Sequence, residues 1–379
     1  MSGDAPRWIP VWAMPNLVLA EPIETSHVVL VDSRDERLRE LGRQHPALTR
    51  FLSAFHDEFG TPICPAVAMY RGDAPRRVQD VAALGGFRDA ICMSAIVAGH
   101  SLTLKSAGPR GILYADAFDV YPWFLSRHLD DRIIASTPAT LSLHTVESLH
   151  PQLTPGLGNR SLTRSIIDRP LLDGLLERWE RCFAARTNQV ETRKNLRLFR
   201  ALDMARAASK MPGKADKTHY DDGRAVAMWV SAFETLADDE TWSGLEHVVR
   251  LLGRVPWLRQ ELRAQDREVL VSNREGNKIK VPTNAAGKLY ERLYRLRNDF
   301  IHGNSFTSKK LKLKSRKSVL FFASPLFRLA LTAFLELDFS QTEAADDENR
   351  RWKVVWLRQP QRNAEAAVLM AEQVPDGQE

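Results

Sequence analysis

The chain has 379 residues, a formal net charge of +6, and 44% hydrophobic and 26% charged residues, which is typical of a soluble globular protein of two or three domains. No apolar run reaches the ~20 residues needed to cross a bilayer, and the first residues lack the order of a signal peptide, so we expect a cytoplasmic protein outside the membrane. The three cysteines, Cys64, Cys92 and Cys182, lack the spacing of a zinc site or a disulfide framework, which indicates reduced thiols.

The first 165 residues have the pattern of a mixed α/β domain. Segments rich in Val, Leu and Trp predict strands, and apolar residues at three- to four-residue spacing predict helices. This domain contains no glycine-rich phosphate loop and no nucleophile elbow, so its own residues point to no activity. The predicted strands lie at 8–19, 27–31, 63–70, 112–123 and 132–143, and the predicted helices lie at 32–55 and 87–98.

One polar group in this domain suggests a metal site at first sight. His128, Asp130 and Asp131 lie close together in the sequence. No second histidine lies near them at ligand spacing, so we favour a solvated turn. We predict neither a metal nor a cofactor for the chain.

The second half of the chain changes to helical periodicity after a proline- and glycine-rich linker at 151–160. Apolar stripes predict a helical pair at 166–215, an all-α bundle at 216–340 and a partly mobile C-terminal extension at 341–379. The expected fold class is therefore α+β, a mixed α/β domain followed by a helical bundle. Within these units we predict helices at 224–237, 243–253, 257–262 and 319–337, a loop at 271–284 and a strand at 351–357.

Residues 288–303 predict an amphipathic helix with a polar end. Leucine and phenylalanine recur at the spacing that forms one apolar helix face. Arg297, Asn298 and His302 interrupt this face, and Gly303 can take the left-handed conformation that ends a helix. A core-facing helix therefore finishes by presenting a guanidinium, an amide and an imidazole group.

The order of these residues resembles that of a known ribonuclease family. The run from Arg297 to His302 is similar to the motif of HEPN ribonucleases, in which an arginine and a polar residue precede a histidine, and it looks most like the ApeA-like branch. The upstream segment 225–236, with its Phe-Glu-x-Leu turn, is similar to an early helix of that family's bundle. The resemblance covers residues 216–340 and does not extend to the first half of the chain.

The resemblance implies a metal-independent endoribonuclease with a HEPN-like helical bundle and a role in defence against phage. Such an enzyme cuts host or viral RNA, with tRNA as a reasonable candidate. It forms a homodimer in which motif residues from two chains line one cleft. The N-terminal domain would then sense a phage-derived trigger or restrain the site.

The residue types suit cleavage of RNA by its own 2′-hydroxyl group. Histidine titrates near neutral pH, so His302 can move a proton, and the planar guanidinium of Arg297 can hold two phosphate oxygens. Asn298 can orient the Arg297 side chain, the His302 side chain or the phosphate. Glu234 can support the site, although we favour an ordinary position at the edge of a packed helix. On a straight helix Arg297 and His302 lie about 140° apart and ~7.5 Å along the axis, so one helix does not bring them onto one face.

A basic loop follows the histidine. Ten cationic residues lie between 288 and 317 against two acidic residues, and six of the nine residues at 309–317 are cationic. Such a cluster can track a phosphate backbone, although a charged run is usually only solvated surface. Phe306 can stack on a base or pack into the bundle. The predicted RNA-binding residues are Lys309, Lys310, Lys312, Lys314, Arg316, Lys317 and Phe306.

Other interpretations stay open. Arg297 and His302 can simply satisfy the last carbonyl groups and the dipole of a helix C-terminus. The chain can also be a non-catalytic HEPN-like RNA-binding or adaptor protein, in which the basic loop binds RNA and the motif only packs. A third alternative is the toxin half of a two-gene module that an antitoxin partner silences.

Overall fold

A computed structural model describes most of the chain. The linker at 151–160 and the turn with His128, Asp130 and Asp131 lie outside the described residues, as does the first part of the strand predicted at 112–123. The described residues are 7–57, 59–104, 118, 120–125, 133–137, 140–143, 161–162, 167–185, 188–210, 218–238, 244–272, 277–339 and 348–373.

The N-terminal part is built on an antiparallel sheet of seven strands. Nine strands occur there: β1 (Trp8–Met14), β2 (Val18–Leu19), β3 (Ile23–Glu24), β4 (Val28–Val31), β5 (Ala66–Arg71), β6 (Tyr121–Leu125), β7 (Ile133–Thr137), β8 (Thr140–Leu143) and β9 (Ser161–Leu162). The sheet has the order β3-β4-β5-β1-β6-β7-β8, and β2 pairs in parallel with β9 outside it. The strands predicted at 27–31 and 63–70 are therefore confirmed, whereas the segments predicted at 8–19 and 132–143 each contain two strands.

Alternate residues of the sheet pack on its two faces. In β4, Val28 and Leu30 belong to the main core, whereas Val29 and Val31 pack against the two helices that follow the strand. This two-residue period is what an extended strand requires when both faces of its sheet are covered. The helix predicted at 32–55 is thus two helices, α1 (Glu36–Gln44) and α2 (Pro46–Ser53), which are separated at the proline.

Helix α3 (Val81–Leu104) lies at the centre of the molecule and is buried on all sides. By length and apolar composition it is the one helix of the described residues that could cross a membrane, so the expectation of no such run is wrong. However, 78% of its most apolar window is buried inside the protein. A helix that is apolar all round and surrounded by protein is typical of the core of a soluble protein.

The rest of the described chain is mainly helical, which confirms the α+β fold class. The predicted bundle helices and the motif helix are also confirmed, the one at 257–262 as a short 3₁₀ turn, Gln260–Leu262. A π-helical turn, Glu180–Ala184, extends α4. The remaining helices are α4 (Arg169–Trp179), α5 (Gln189–Ser209), α6 (His219–Ala237), α7 (Gly244–Gly253), α8 (Ala285–Ile301), α9 (Ser308–Leu311), α10 (Leu320–Phe334) and α11 (Glu348–Glu372).

Two sequence predictions for the C-terminal half are wrong. The loop predicted at 271–284 is largely an antiparallel hairpin, β10 (Arg267–Ser272) and β11 (Lys278–Thr283), so this half is not all-α. Alternate valines of the hairpin face the bundle while the residues between them are exposed. The strand predicted at 351–357 belongs to α11, because alanines at helical spacing near its end pack into the core. Residues 348–372 of the C-terminal extension therefore form a helix.

One continuous core joins the sheet to the bundle across the boundary predicted at residue 165. Trp179 of α4 donates its indole N–H to the carbonyl oxygen of Ala83 at 2.7 Å and packs edge-on against Phe87. Phe183 continues this aromatic row to Phe199 of α5. The N-terminal unit and the bundle therefore share buried surface, with α3 between them.

A fully buried ion pair lies at the junction of three helices. Arg328 of α10 donates from Nε to the Asp168 carboxylate at 2.6 Å, and both side chains are 0% exposed. Asp168 also caps α4 by accepting from the Leu171 N–H. Arg328 further contacts Gln361 of α11, which donates to the buried Glu365. This network links helices that are distant in sequence.

Candidate active site

Helices α6 and α8 pack closely and run antiparallel. Near one end of the contact, Phe233 lies 5.0 Å from Tyr290 between ring centroids, and near the other end Phe300 rests on Gly223. Any Cβ at position 223 would overlap the Phe300 ring, so glycine is required for this approach. The motif helix is thereby held against the upstream helix that the family resemblance singled out.

Arg297 of α8 is held by three neighbours. Its Nη2 donates to the Glu234 carboxylate at 2.5 Å, and its Nη1 donates to the Asn298 side-chain oxygen at 2.9 Å. The guanidinium also lies over the Tyr294 ring, 5.2 Å from the centroid. The side chains of Arg297 and Glu234 are 22% and 23% exposed. The guanidinium is therefore fixed at the surface of the bundle, where solvent still reaches it.

Glu234 sits in a tight, partly dry position. The first residue of α7, Gly244, lies so close to its carboxylate that a side chain at 244 would clash with it. Burial raises the pKa of Glu234, and the Arg297 guanidinium opposes that shift. The buried hydroxyl of Tyr290 has no hydrogen-bond partner among the described residues. Burial raises the pKa of this hydroxyl, and the neighbouring charge of Glu234 adds to the shift. A carboxylate with a raised pKa beside an arginine is a feature of functional sites as well as of structural pairs.

His302 is the residue at which α8 ends. Its backbone N–H donates to the Asn298 carbonyl at 3.0 Å, and its side chain is exposed. Gly303 has a φ of +69°, and the N–H of Asn304 returns to the carbonyl of Asp299 at 2.9 Å. This is the left-handed termination predicted from the sequence. It presents the imidazole at the surface beyond the last turn of the helix.

One chain does not bring the guanidinium and the imidazole together. The Arg297 side chain extends back along α8 to the ring of Tyr294, three residues towards the N-terminus, whereas His302 lies at the opposite end. The partners of Arg297 in the described structure are Glu234, Asn298 and Tyr294. Among the described residues no hydrogen bond or ring contact joins Arg297 to His302, in keeping with their angular separation on an ideal helix.

The basic loop is only partly available to a ligand. Lys310 pairs with Asp299 at 2.8 Å, and this contact lowers the pKa of the Asp299 carboxyl. Lys317 donates to the carbonyl of Leu104 at 3.1 Å. Two of the predicted RNA-binding residues, Lys310 and Lys317, therefore attach the loop to the rest of the protein. The other four predicted cations, Lys309, Lys312, Lys314 and Arg316, have exposed side chains.

Phe306 does not have the position expected of a base-stacking residue. It is 8% exposed and packs edge-on against Phe300, 5.5 Å away between centroids. Gly223 lets the Phe300 ring lie close to α6, and this ring forms the surface on which Phe306 packs. The sequence of the loop alone does not contain that surface. The stacking interpretation is corrected, and the alternative of packing into the bundle is confirmed.

Sequence reasoning missed two aromatic residues of the site. The Arg297 guanidinium lies over the Tyr294 ring, and the buried Tyr290 ring packs against Tyr294 in the core. Neither is among the site residues predicted from the sequence. The spacing of Tyr294 three residues before Arg297 was the available signal, because residues three apart on a helix are neighbours.

Comparison with known proteins does not add to this geometry: no protein family, curated protein or solved structure matches the chain. Among the described residues, no three His, Cys, Asp or Glu side chains form a group that could hold a metal ion. The cluster of Glu234, Arg297 and Asn298, with His302 beyond it, is therefore judged on its own chemistry.

Proposed function

We propose that the chain is a metal-independent endoribonuclease that acts as a homodimer in the cytoplasm. The observation that carries this proposal is the Arg297 guanidinium, oriented by Glu234, Asn298 and Tyr294 at a solvent-accessible surface, on the same helix as an exposed histidine. An oriented, permanently charged guanidinium suits a phosphate group, and an exposed imidazole suits proton transfer.

In the proposed reaction the 2′-hydroxyl of RNA attacks the adjacent phosphate. His302 accepts the hydroxyl proton while the bond between the 2′-oxygen and phosphorus forms. The bond between phosphorus and the 5′-oxygen breaks, and that oxygen leaves as a hydroxyl group after taking up a proton from water, while His302 later returns its proton to the solvent. Arg297 stabilises the extra negative charge on the phosphorane. The products are a 2′,3′-cyclic phosphate and a 5′-hydroxyl end.

The contacts of Arg297 support the proposed dimer. The Arg297 guanidinium lies over the Tyr294 ring, on the side away from His302, so we expect a phosphate held by Arg297 to need the histidine of a second chain. A two-fold arrangement of two motif helices would place the arginine of one chain near the histidine of its partner. The wider role that we propose, cutting RNA such as tRNA to restrict phage, rests on the family resemblance.

A binding protein without catalysis is the second candidate. The contact of Arg297 with Glu234 favours it, because a paired guanidinium can be a purely structural element. In that case the motif packs the bundle and RNA binding needs only surface cations.

The direct test is incubation of the purified chain with total tRNA in excess EDTA. The His302→Ala variant should cleave about 10²- to 10⁴-fold more slowly, the range for loss of a general acid–base group. His219, an exposed histidine at the start of α6, provides the matched control, and His219→Ala should cleave normally. Cleavage by both variants would overturn the assignment of the site. RNA binding by wild type without cleavage in dimeric samples would favour the binding protein.

A further inference from the structure

We infer that single-stranded RNA reaches Arg297 across helix α5, along a stripe of arginines that lies outside the region of family resemblance. Arg193, Arg197 and Arg200 are spaced by four and three residues, so they share one face of α5. This inference rests on the proposed ribonuclease function and identifies the surface that would hold its substrate.

Helix α6 connects this stripe to the site. Thr235 contacts Met204 of α5 at 3.6 Å, while the adjacent Glu234 contacts Arg297 of α8. Because successive helical residues point about 100° apart, the two neighbours lie on different sides of α6. Both residues are only partly buried, so solvent reaches part of α6 at each of these two contacts.

A contact at the C-terminal end of α6 shows which part of α5 lies nearest to Glu234. Arg197 pairs with Asp238, the residue that follows α6, at 3.4 Å. The arginine stripe therefore lies beside the C-terminal end of α6, where Glu234 is found. Packed helices lie about 8–10 Å apart, so the axes of α5 and α8, which both pack on α6, lie at most about 20 Å apart, a span that a few nucleotides can cover.

The stripe has cations that the fold does not use. Arg193 and Arg200 are exposed, and neither forms an ion pair or side-chain hydrogen bond with another residue that the structure describes. By contrast, Lys310 of the basic loop pairs with Asp299, and Lys317 donates to the carbonyl of Leu104. Leu196, which is 46% exposed between the two arginines, offers an apolar surface for a base. Glu234 and Asp238 of the α6 end each contact an arginine, and Glu191 and Asp203 of α5 pair with Arg181 and Arg206.

Charge and continuity thus favour RNA as the occupant over the acidic face of a protein partner. The arginines lead to the guanidinium that would bind the reacting phosphate, and the described acids of α5 and of the α6 end are each paired with an arginine. A strand bound in this way would be held mainly by its backbone, with little dependence on sequence.

The test uses a labelled single-stranded RNA of about twelve nucleotides and the His302→Ala background, so that binding is measured without cleavage. The double variant Arg193→Gln/Arg200→Gln should bind more weakly. Its log–log salt dependence should be shallower by about 1.4, or 0.7 for each lost phosphate contact on a single strand. The matched control is Arg50→Gln/Arg76→Gln, which removes two exposed arginines of the N-terminal unit and should bind normally.

Two results would overturn the inference. One is equal binding by the stripe variant and its control. The other is a loss confined to Lys309→Gln/Lys314→Gln, which would direct the strand over the basic loop. Either result leaves the ribonuclease proposal intact if wild type cleaves RNA. Absence of both binding and cleavage in wild type would instead refute the proposed function itself.

Discussion

Glu234 and Arg297 are 63 residues apart in sequence, yet their side chains form a 2.5 Å hydrogen-bonded ion pair at the crossing of α6 and α8. The contact leaves the guanidinium accessible and fixes its direction, with Asn298 and Tyr294 as further supports. Because catalysis depends on groups held close to their productive geometry, Glu234 is a positioning residue in the proposed reaction.

Replacing Glu234 should therefore slow cleavage while RNA binding persists. We expect Glu234→Ala to lower kcat by about 10- to 100-fold, since loss of orientation at a reacting group has effects of this size. Glu234→Gln should be less impaired, because its amide oxygen still accepts from the guanidinium. Glu261→Ala, at an exposed acid, is the control. Equal kcat in wild type and Glu234→Ala would contradict a positioning role.

The sequence predicted the helices of the site but not its contacts. The apolar spacing of α6 and α8 is a local property, and so is the glycine that ends α8. The partner of Arg297 depends on how two helices cross, and the burial of Phe306 depends on Gly223, more than eighty residues earlier. Neither relationship is encoded in a local pattern.

The same reason explains the errors at the hairpin and at α11. Valine and tryptophan near 352–356 favour a strand locally, but Ala364, Ala367 and Val368 gain burial against the core only if the segment is helical. In the hairpin, Val269 and Val281 form a buried cross-strand pair. Tertiary packing thus decided both elements.

Gly223 should be indispensable to the packing of the motif helix. Gly223→Ala would place a methyl group within the Phe300 ring, so we expect destabilisation of about 1–3 kcal/mol. Gly85→Ala is the control, because a Cβ there meets no atom and alanine favours a helix. The midpoint of thermal unfolding measures both. A normal midpoint for Gly223→Ala would mean that the Phe300 contact is not close.

The buried pair of Asp168 and Arg328 should show strong energetic coupling. Arg328→Met leaves a buried carboxylate without its cation and should cost about 3–5 kcal/mol. Asp168→Asn keeps an oxygen that can cap α4 but removes the charge. The double variant should lose less stability than the sum of the two single variants in urea unfolding. Additive losses would contradict a coupled pair.

The raised pKa of Glu234 predicts the direction in which this residue changes the stability of the fold as the pH rises. Burial makes the folded chain bind this proton more tightly than the unfolded chain, whose carboxyl titrates near 4.5. The contribution of Glu234 to stability therefore falls as pH rises through its folded pKa. Glu234→Gln lacks this loss, so its unfolding temperature relative to wild type should rise as the pH increases above about 4.5. A relative fall over that range would show that pairing with Arg297 outweighs burial.

The most direct test of a shared site is to mix two inactive variants. Arg297→Ala and His302→Ala each lack one of the proposed groups, but a mixed dimer retains one site with the arginine of one chain and the histidine of the other. After exchange of subunits, an equal mixture should recover about a quarter of wild-type cleavage, because half of the dimers are mixed and each has one intact site. No recovery, when both variants are folded and mixed dimers are present, would contradict a site built from two chains.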